Sequence, residues 1–310
     1  MNLRQLRYFV KVIEAGSMTR AAEQLFVAQP ALGMQVRQLE EDLGVALVER
    51  HSRGITPTRA GALLHERARS ILALVEDARR EVSACDREES ETLRLGLTPA
   101  LMGVIGPELA VEARDRIPRL FLALAEEMSH RLVEALGRGE LDLILAYDVP
   151  DAPQFVRTAL MQDDLVLATP PGPRRGGPVT FAAALEERLA MPEAGDTVRE
   201  LVVRSARDLG LEPDIAYEVR SIGAIKHLAR RGVAAGILPY ASIHEEVRAG
   251  SLDAHPIVSP QLRRTLFLAR AATRSAFRNE LALTGVIREA LARLSDVLGP
   301  LAHPLPPREP

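Results

Sequence analysis

The chain has 310 residues, 47% apolar and 26% charged, with a formal net charge of −3. That composition suits a globular protein of about two domains and excludes a low-complexity or strongly polycationic chain. The single cysteine, Cys85, excludes an intramolecular disulfide and suits a reducing cytoplasm, and no apolar run forms a signal-peptide block or a membrane span.

Leu3, Leu6, Phe9, Val10 and Ile13 recur at helical spacing, so residues 3–14 are expected to form an amphipathic helix ended by Gly16. Ser17 or Thr19 can cap the next helix, whose small face of Ala21, Ala22, Leu25 and Phe26 permits a close crossing. Pro30 suits the first turn of a third helix, closed by Gly44. Its inner face is Ala31, Leu32, Val36, Leu39 and Leu43, and its outer face is Gln29, Gly33, Met34, Arg37 and Gln38. Gln can pair with the major-groove edge of adenine, and Arg with guanine or a phosphate. Arg50 to Thr58 reads as a β-turn wing with Arg53-Gly54 at its tip, where a guanidinium fits a narrow minor groove. An isolated Gln or Arg usually does no more than solvate a surface. Here the helix–turn–helix spacing joined to a wing carries the reading.

Thr58 can cap a long helix reaching to about Glu89. Gly61, Leu64, Ala68, Ile71, Val75, Ala78, Val82 and Cys85 mark a strict heptad seam along it, flanked by charges. That repeat predicts a left-handed helix pair between two chains. The alternative is a long helix packed on its own protein. The first 60 residues hold eight Lys or Arg against six Asp or Glu, while the remainder is net acidic. The asymmetry agrees in sign with nucleic acid at the N-terminal end, though charge alone would not carry that claim.

Residues 90–92 read as a hinge, followed by strand–helix alternation. Strands are expected at 93–97, 120–124, 141–146, 165–169, 189–191, 215–219, 235–238 and 265–269. Helices are expected at 99–114, 129–138, 180–187, 197–209, 221–231 and from Phe277 to Leu298, with 170–178 as an exposed loop. Ligands of open α/β sheets bind at strand carboxyl ends, near helix N-termini. Thr98, Ser129 and Ser221 hold such places, each also a natural N-cap.

An enzyme is not expected. The seven histidines have no metal-ligand spacing, Gly232 to Gly236 is no dinucleotide fingerprint, and no Ser lies in a nucleophile elbow.

Residues 1–61 resemble the winged helix–turn–helix domain of the LysR-type transcriptional regulators. The matching residues are Leu6, Phe9, Gly16, Ser17, Ala21, Ala22, Leu25, Gln29 to Leu32, Leu39-Glu40, Leu43-Gly44, Leu47, Arg50, Arg53-Gly54, Thr56, Thr58 and Ala60-Gly61. The resemblance implies DNA contacts at Ser17, Thr19, Gln29, Pro30, Gly33, Met34, Arg37, Arg53 and Gly54. The family usually has Ser where this chain has Ala28 and Gly33, so two hydroxyl contacts are lost and an altered operator preference is expected. Gly33 also weakens its helix by roughly 1 kcal/mol relative to Ala.

For the whole chain the resemblance implies a DNA-binding domain at 1–58, a linker and dimerisation helix at 59–89, and an effector domain at 92–300. That effector domain is α/β and two-lobed, like a periplasmic binding protein, with lobe one at 92–162 and 267–300, lobe two at 163–266, and two crossover strands between them. Residues 301–310 are expected to be a disordered tail. The effector cleft would be lined by Thr98, Pro99, Ala100, Ser129, Tyr147, Pro192, Ser221, Ile222 and Pro239 and take a small anionic effector. The resemblance also implies a homodimer through 58–89, a homotetramer, bending of double-stranded promoter DNA at an inverted repeat, and contact with RNA polymerase. It implies no cofactor, no metal and no catalytic residue. The first ten residues, Glu218 to Gly223 and Leu238-Pro239 resemble the branch containing nitrogen-assimilation control regulators, whose members can act without an effector. An effector-independent regulator with a vestigial cleft therefore stays open, as does, further off, a cytosolic small-molecule-binding protein.

Overall fold

The computed structural model describes residues 1–51, 54–85, 91–172, 176–274, 277 and 279–305; the side chains at 76–77, 80–81 and 83–85 lie outside that description, and with them the expected seam place of Cys85. The chain divides into two compact units, one holding residues 1–89 and the other nearly all of the rest.

In the first unit, α1 (Leu3–Ala15) is opened by a capping box. The Asn2 side chain accepts from the Gln5 amide, and the Gln5 side chain accepts from the Asn2 amide. Gly16 ends it at φ 60°. Ser17 caps α2 (Met18–Gln24) by accepting from the Arg20 amide at 3.4 Å, so Ser17 rather than Thr19 is the cap. Then come α3 (Gln29–Leu43), a hairpin of β1 (Val48–His51) and β2 (Gly54–Pro57), and α4 (Arg59–Cys85). Val12, Met18, Ala21, Ala22, Leu32 and Val36 form one buried cluster, and Phe9, Leu39 and Leu47 another. Ala31 and Leu43, expected on the inner face of α3, are exposed.

Backbone contacts fix the wing. The Glu40 carboxylate accepts from the Leu47 and Val48 amides at 2.8 and 3.2 Å. The Ile55 amide donates to the Gly16 carbonyl at 2.9 Å, and a Cβ on Gly54 would lie 2.5 Å from that same oxygen. Thr58 donates its hydroxyl to Ala46 O at 2.8 Å and accepts from the Gly61 amide at 3.0 Å, capping α4 as expected. Gly61 sits so close to the wing that a Cβ there would stand 1.9 Å from the Leu47 carbonyl oxygen.

The heptad seam divides in two. Leu64 and Ala68 pack on Leu6 and Val10 of α1, within the same unit, and Gly61 is buried. Farther along the same face, Ile71, Ala78 and Val82 are exposed, as are Leu63 and Leu74 on its flank. Propensity and period do not distinguish an intramolecular from an intermolecular partner, and the first turns of the seam pack within the chain.

The second unit is α/β. Its elements are β3 (Glu91–Leu97), α5 (Pro99–Arg116), β4 (Leu120–Glu126), α6 (Ser129–Gly137), β5 (Leu143–Tyr147), β6 (Phe155–Thr169), β7 (Val179–Thr180), α7 (Phe181–Leu185), β8 (Leu189–Met191) and α8 (Thr197–Asp208). There follow β9 (Ile215–Glu218), α9 (Ile222–Arg230), β10 (Gly236–Pro239), α10 (His244–Arg248), β11 (Asp253–Val258), β12 (Arg263–Ala271), α11 (Glu280–Leu298) and β13 (Ala302–Pro304).

Lobe one is the sheet β4-β3-β5-β12-β6, in which β3 runs parallel to β4 and β5 while β12 runs antiparallel to both its neighbours. Strand β5 is buried on both faces, as a central strand should be. Leu143, Leu145 and Tyr147 face a core shared with α5 and α11, while Ile144 and Ala146 face α6. In lobe two, Leu165 and Leu167 of β6 face one cluster with α7 and α8, and Val166 and Ala168 face another with α9.

Strand β6 belongs to both lobes. Residues 155–164 pair with β12, whereas 165–169 pair with β10 and β11. The change of partner falls at Asp164/Leu165, and on the return path at Leu262/Arg263. The expected tail is corrected: residues 302–304 form β13 on β6 across from Asp163, Gln162 and Met161, and 306–310 lie outside the described residues. Residues 91–92, expected as hinge, already belong to β3.

Candidate functional site

Two faces carry the expected functional residues. The first is the outer side of α3 and the wing. Gln29, Pro30, Met34, Arg37 and Gln38 are exposed, as is Thr19. Gly33 is buried against the turns around it, yet a Cβ built there meets nothing within 4 Å, so a side chain at 33 would project into open space. Ser17 is engaged as the cap of α2. In the wing, Thr56 and His51 approach at 3.4 Å across the hairpin. Gly54 opens β2, and Arg53 lies outside the described residues. The first turn of α3 has no side-chain cap, so its amides are not satisfied by Ala28.

The second face is the cleft between the lobes. A cavity of about 260 Å³ is lined by Glu127, Met128 and Arg131 of lobe one and by Pro192, Glu193, Asp196 and Arg220 of lobe two. Among the expected cleft residues Pro192 lines it, and Ser129 and Ser221 are chain neighbours of Met128 and Arg220. Thr98, Tyr147 and Pro239 are not among its lining residues. Glu193 spans the cleft: it accepts from Arg131 at 3.1 Å, pairs with Arg220 at 2.7 Å, and lies 3.9 Å from His130. The hydrogen bond from Arg131 holds the Glu193 carboxyl below its ordinary value.

The three hydroxyls expected as N-caps behave differently. Ser221 caps α9, accepting from the Ala224 amide at 3.3 Å. Ser129 is buried and accepts from the Tyr147 amide at 3.1 Å, tying α6 to the end of β5. Thr98 is 7% exposed, makes no cap at α5, and leaves its hydroxyl without a protein partner. Beside it Pro99 is half-buried and Ala100 buried; Ile222 is half-buried and Pro239 buried.

Sequence reasoning named Tyr147 but missed the buried charged pair that holds it. Tyr147 donates its phenol to Asp163 at 3.3 Å, Arg264 pairs with Asp163 at 2.8 Å, and the Arg264 guanidinium stacks 3.5 Å from the Tyr147 ring centroid. All three are buried. Burial pushes the Tyr147 phenol far up, and the neighbouring Asp163 adds to it, so Tyr147 remains neutral. Burial works against the Arg264 cation, but Asp163 and Tyr147 outweigh it and raise its pKa. Burial also raises the carboxyls of Asp148 and Asp196, which both feel the Arg264 charge. A signal existed: Asp163-Asp164 and Arg263-Arg264 are charged pairs directly ahead of the expected strands at 165–169 and 265–269, and register sets Asp163 opposite Arg264 and Asp164 opposite Arg263. Among the described residues no helix is long and apolar enough to cross a membrane.

The comparisons with known proteins agree with this arrangement. Residues 3–62 match the model of the bacterial regulatory helix–turn–helix protein, lysR family, and residues 86–292 match the LysR substrate binding domain. The chain is 31% identical to the nitrogen assimilation regulatory protein nac of Klebsiella aerogenes over 95% of this chain and 97% of that one. It is 29% identical to the hydrogen peroxide-inducible genes activator of Escherichia coli O157:H7, covering 86% and 88%. Full-length CbnR, solved in complex with its target DNA, superposes with a TM-score of 0.61 at 26% identity, over 96% of this chain and 99% of that one. The chain therefore belongs to the LysR family of DNA-binding transcriptional regulators, with a helix–turn–helix domain ahead of a two-lobed effector-binding domain.

Proposed function

We propose that two copies pair through the exposed stripe of α4 and present two α3 helices to successive major grooves of an inverted-repeat operator, with each wing reaching a flanking minor groove. The exposed outer side of α3 beside the wing carries this reading. In it Ser17, Thr19, Gln29, Pro30, Gly33, Met34, Arg37, Arg53 and Gly54 meet the DNA. The effector-domain pairs associate further into a homotetramer that bends the promoter and meets RNA polymerase, in the cytoplasm at the nucleoid. Catalysis has no part in it. Footprinting tests the proposal: protection of an inverted repeat is expected, and binding that is only nonspecific and salt-sensitive overturns it. Gln29→Ala is expected to relax preference at one base pair per half-site, whereas Arg53→Ala weakens binding uniformly.

For the effector domain, we propose that a small anion docks at the N-terminus of α5 and takes the hydrogen bond of Thr98, shifting the equilibrium of lobe closure. The buried, unpartnered Thr98 hydroxyl supports this. Thermal-shift measurements across aromatic and aliphatic carboxylates test it, and stabilisation by none overturns it. A second reading, an effector-independent regulator, is favoured by Glu193, which already occupies Arg131 and Arg220, and by Ser129 and Tyr147, whose hydroxyls are engaged internally. Thiol chemistry is not a route to peroxide sensing in this effector domain, because residues 86–292 contain no cysteine.

A further inference from the structure

The outer face of α3 is unusual for a surface helix. At 100° per residue, Pro30, Met34, Arg37 and Glu41 follow one another along the line directly opposite the buried Leu32, Val36 and Leu39. Met34 lies in the middle of that line and is 62% exposed. Its neighbours on the first two turns are Pro30 and Ala31, both exposed and neither able to hydrogen-bond to a base through its side chain. Gly33, about 100° round the helix from Met34, adds no side chain beside it, and a Cβ there would meet nothing within 4 Å. The charged and amide groups are displaced from this centre: Gln29 lies at the edge toward the core, and Arg37 is a turn farther on.

In the major groove one base presents an apolar group, the C5 methyl of thymine, and a long, polarizable thioether side chain is suited to cover it. We propose that Met34 is a specificity-determining residue that reads a thymine by apolar contact with its 5-methyl group, one thymine per half-site. The proposal rests on the reading of α3 as the recognition helix and adds to it the base being read and the force that reads it. With Gln29 suited to adenine, it places two A·T pairs in each half-site. Reading is then by shape and methyl burial at the centre of the helix, with hydrogen bonding confined to its rim.

The test uses the full-length protein. A preferred duplex is first selected from a random pool, and each thymine in it is then replaced singly by deoxyuridine, which keeps every hydrogen-bonding group and removes only the methyl. One symmetric pair of positions is expected to lose about fourfold in affinity per half-site, the worth of burying a single methyl group. Met34→Ala is expected to bind the parent duplex more weakly and to lose the difference between thymine and uracil at that position alone. Gln29→Ala is expected to keep that difference while changing preference elsewhere. A selected duplex with no methyl-sensitive thymine overturns the proposal, as does sensitivity that persists undiminished in Met34→Ala. A pool that yields no preferred sequence instead overturns the reading of α3 as the recognition helix.

Discussion

Two glycines in helices of the DNA-binding unit should respond to alanine with opposite signs. Helix propensity alone favours Ala over Gly by about 0.8–1.0 kcal/mol at any interior position. At Gly33, where an added Cβ meets nothing within 4 Å, that full gain should appear. At Gly61 the Cβ would stand 1.9 Å from Leu47 O and 2.9 Å from Leu47 C, both backbone atoms that cannot rotate away. The start of α4 would have to retreat by more than an ångström, loosening the Thr58 bond to Ala46 O and the packing of Leu47 on Phe9 and Leu39. Overpacking of this kind costs about 1–3 kcal/mol. Added to the severed bond, worth about 1 kcal/mol, it exceeds the propensity gain and leaves a net loss of about 2 kcal/mol. Calorimetric unfolding of the full chain, with hydrogen exchange assigning the transition of residues 1–85, measures both. Gly33→Ala should raise that transition by roughly 4–8 °C and Gly61→Ala should lower it by roughly twice as much. A Gly61→Ala protein as stable as the parent would refute the argument from backbone proximity.

Other outcomes follow from the buried charges. Arg264→Leu strands the Asp163 carboxylate in the core and should cost about 3–5 kcal/mol in a thermal melt, most of it recovered when Asp163→Leu is added. Burial alone would raise the Asp142 carboxyl, but the hydrogen bond from Arg94 and the charge of Arg274 hold it below its ordinary value. Its contribution is therefore complete above ~3.9 and lost as pH falls through the depressed folded value, so Asp142→Asn should remove that part of the acid-unfolding slope. Glu193→Gln should release Arg131 and Arg220 and widen the cleft, read as faster amide exchange at residues 127–131 and 192–196; unchanged exchange counts against a bridge across the lobes.

Much of this architecture was written in local signals. Gly16, Pro30, Gly44 and Thr58 punctuate the helices where the structure begins or ends them. The parallel strands of lobe one announced themselves as apolar runs. What stayed hidden depends on partners far along the chain. Residues 155–164 alternate polar and apolar too weakly to mark a strand, and become one because β12 pairs with them from a hundred residues away. Strand β11 carries His255 and Pro256, poor strand formers, and is held by β6 and β7. Three similar hydroxyls at helix starts take three roles: Ser221 caps its own helix, Ser129 is drawn to the Tyr147 amide by tertiary structure, and Thr98 has no partner in the protein.

The division of lobe one by lobe two has a consequence for the order in which the newly made chain can fold. Lobe two is encoded without interruption between the two places where β6 and β12 change partners, so it emerges whole. Strand β12, which fills the middle of the lobe-one sheet between β5 and β6, is synthesised only after it. Until then β5 and β6 present unpaired edges, each a template for pairing with a neighbouring nascent chain. Completion of lobe two draws the start of β12 alongside Asp164, shortening the loop that must close from about a hundred residues to a few. Lobe two, made second, is thus the clamp on which the lobe begun first is finished.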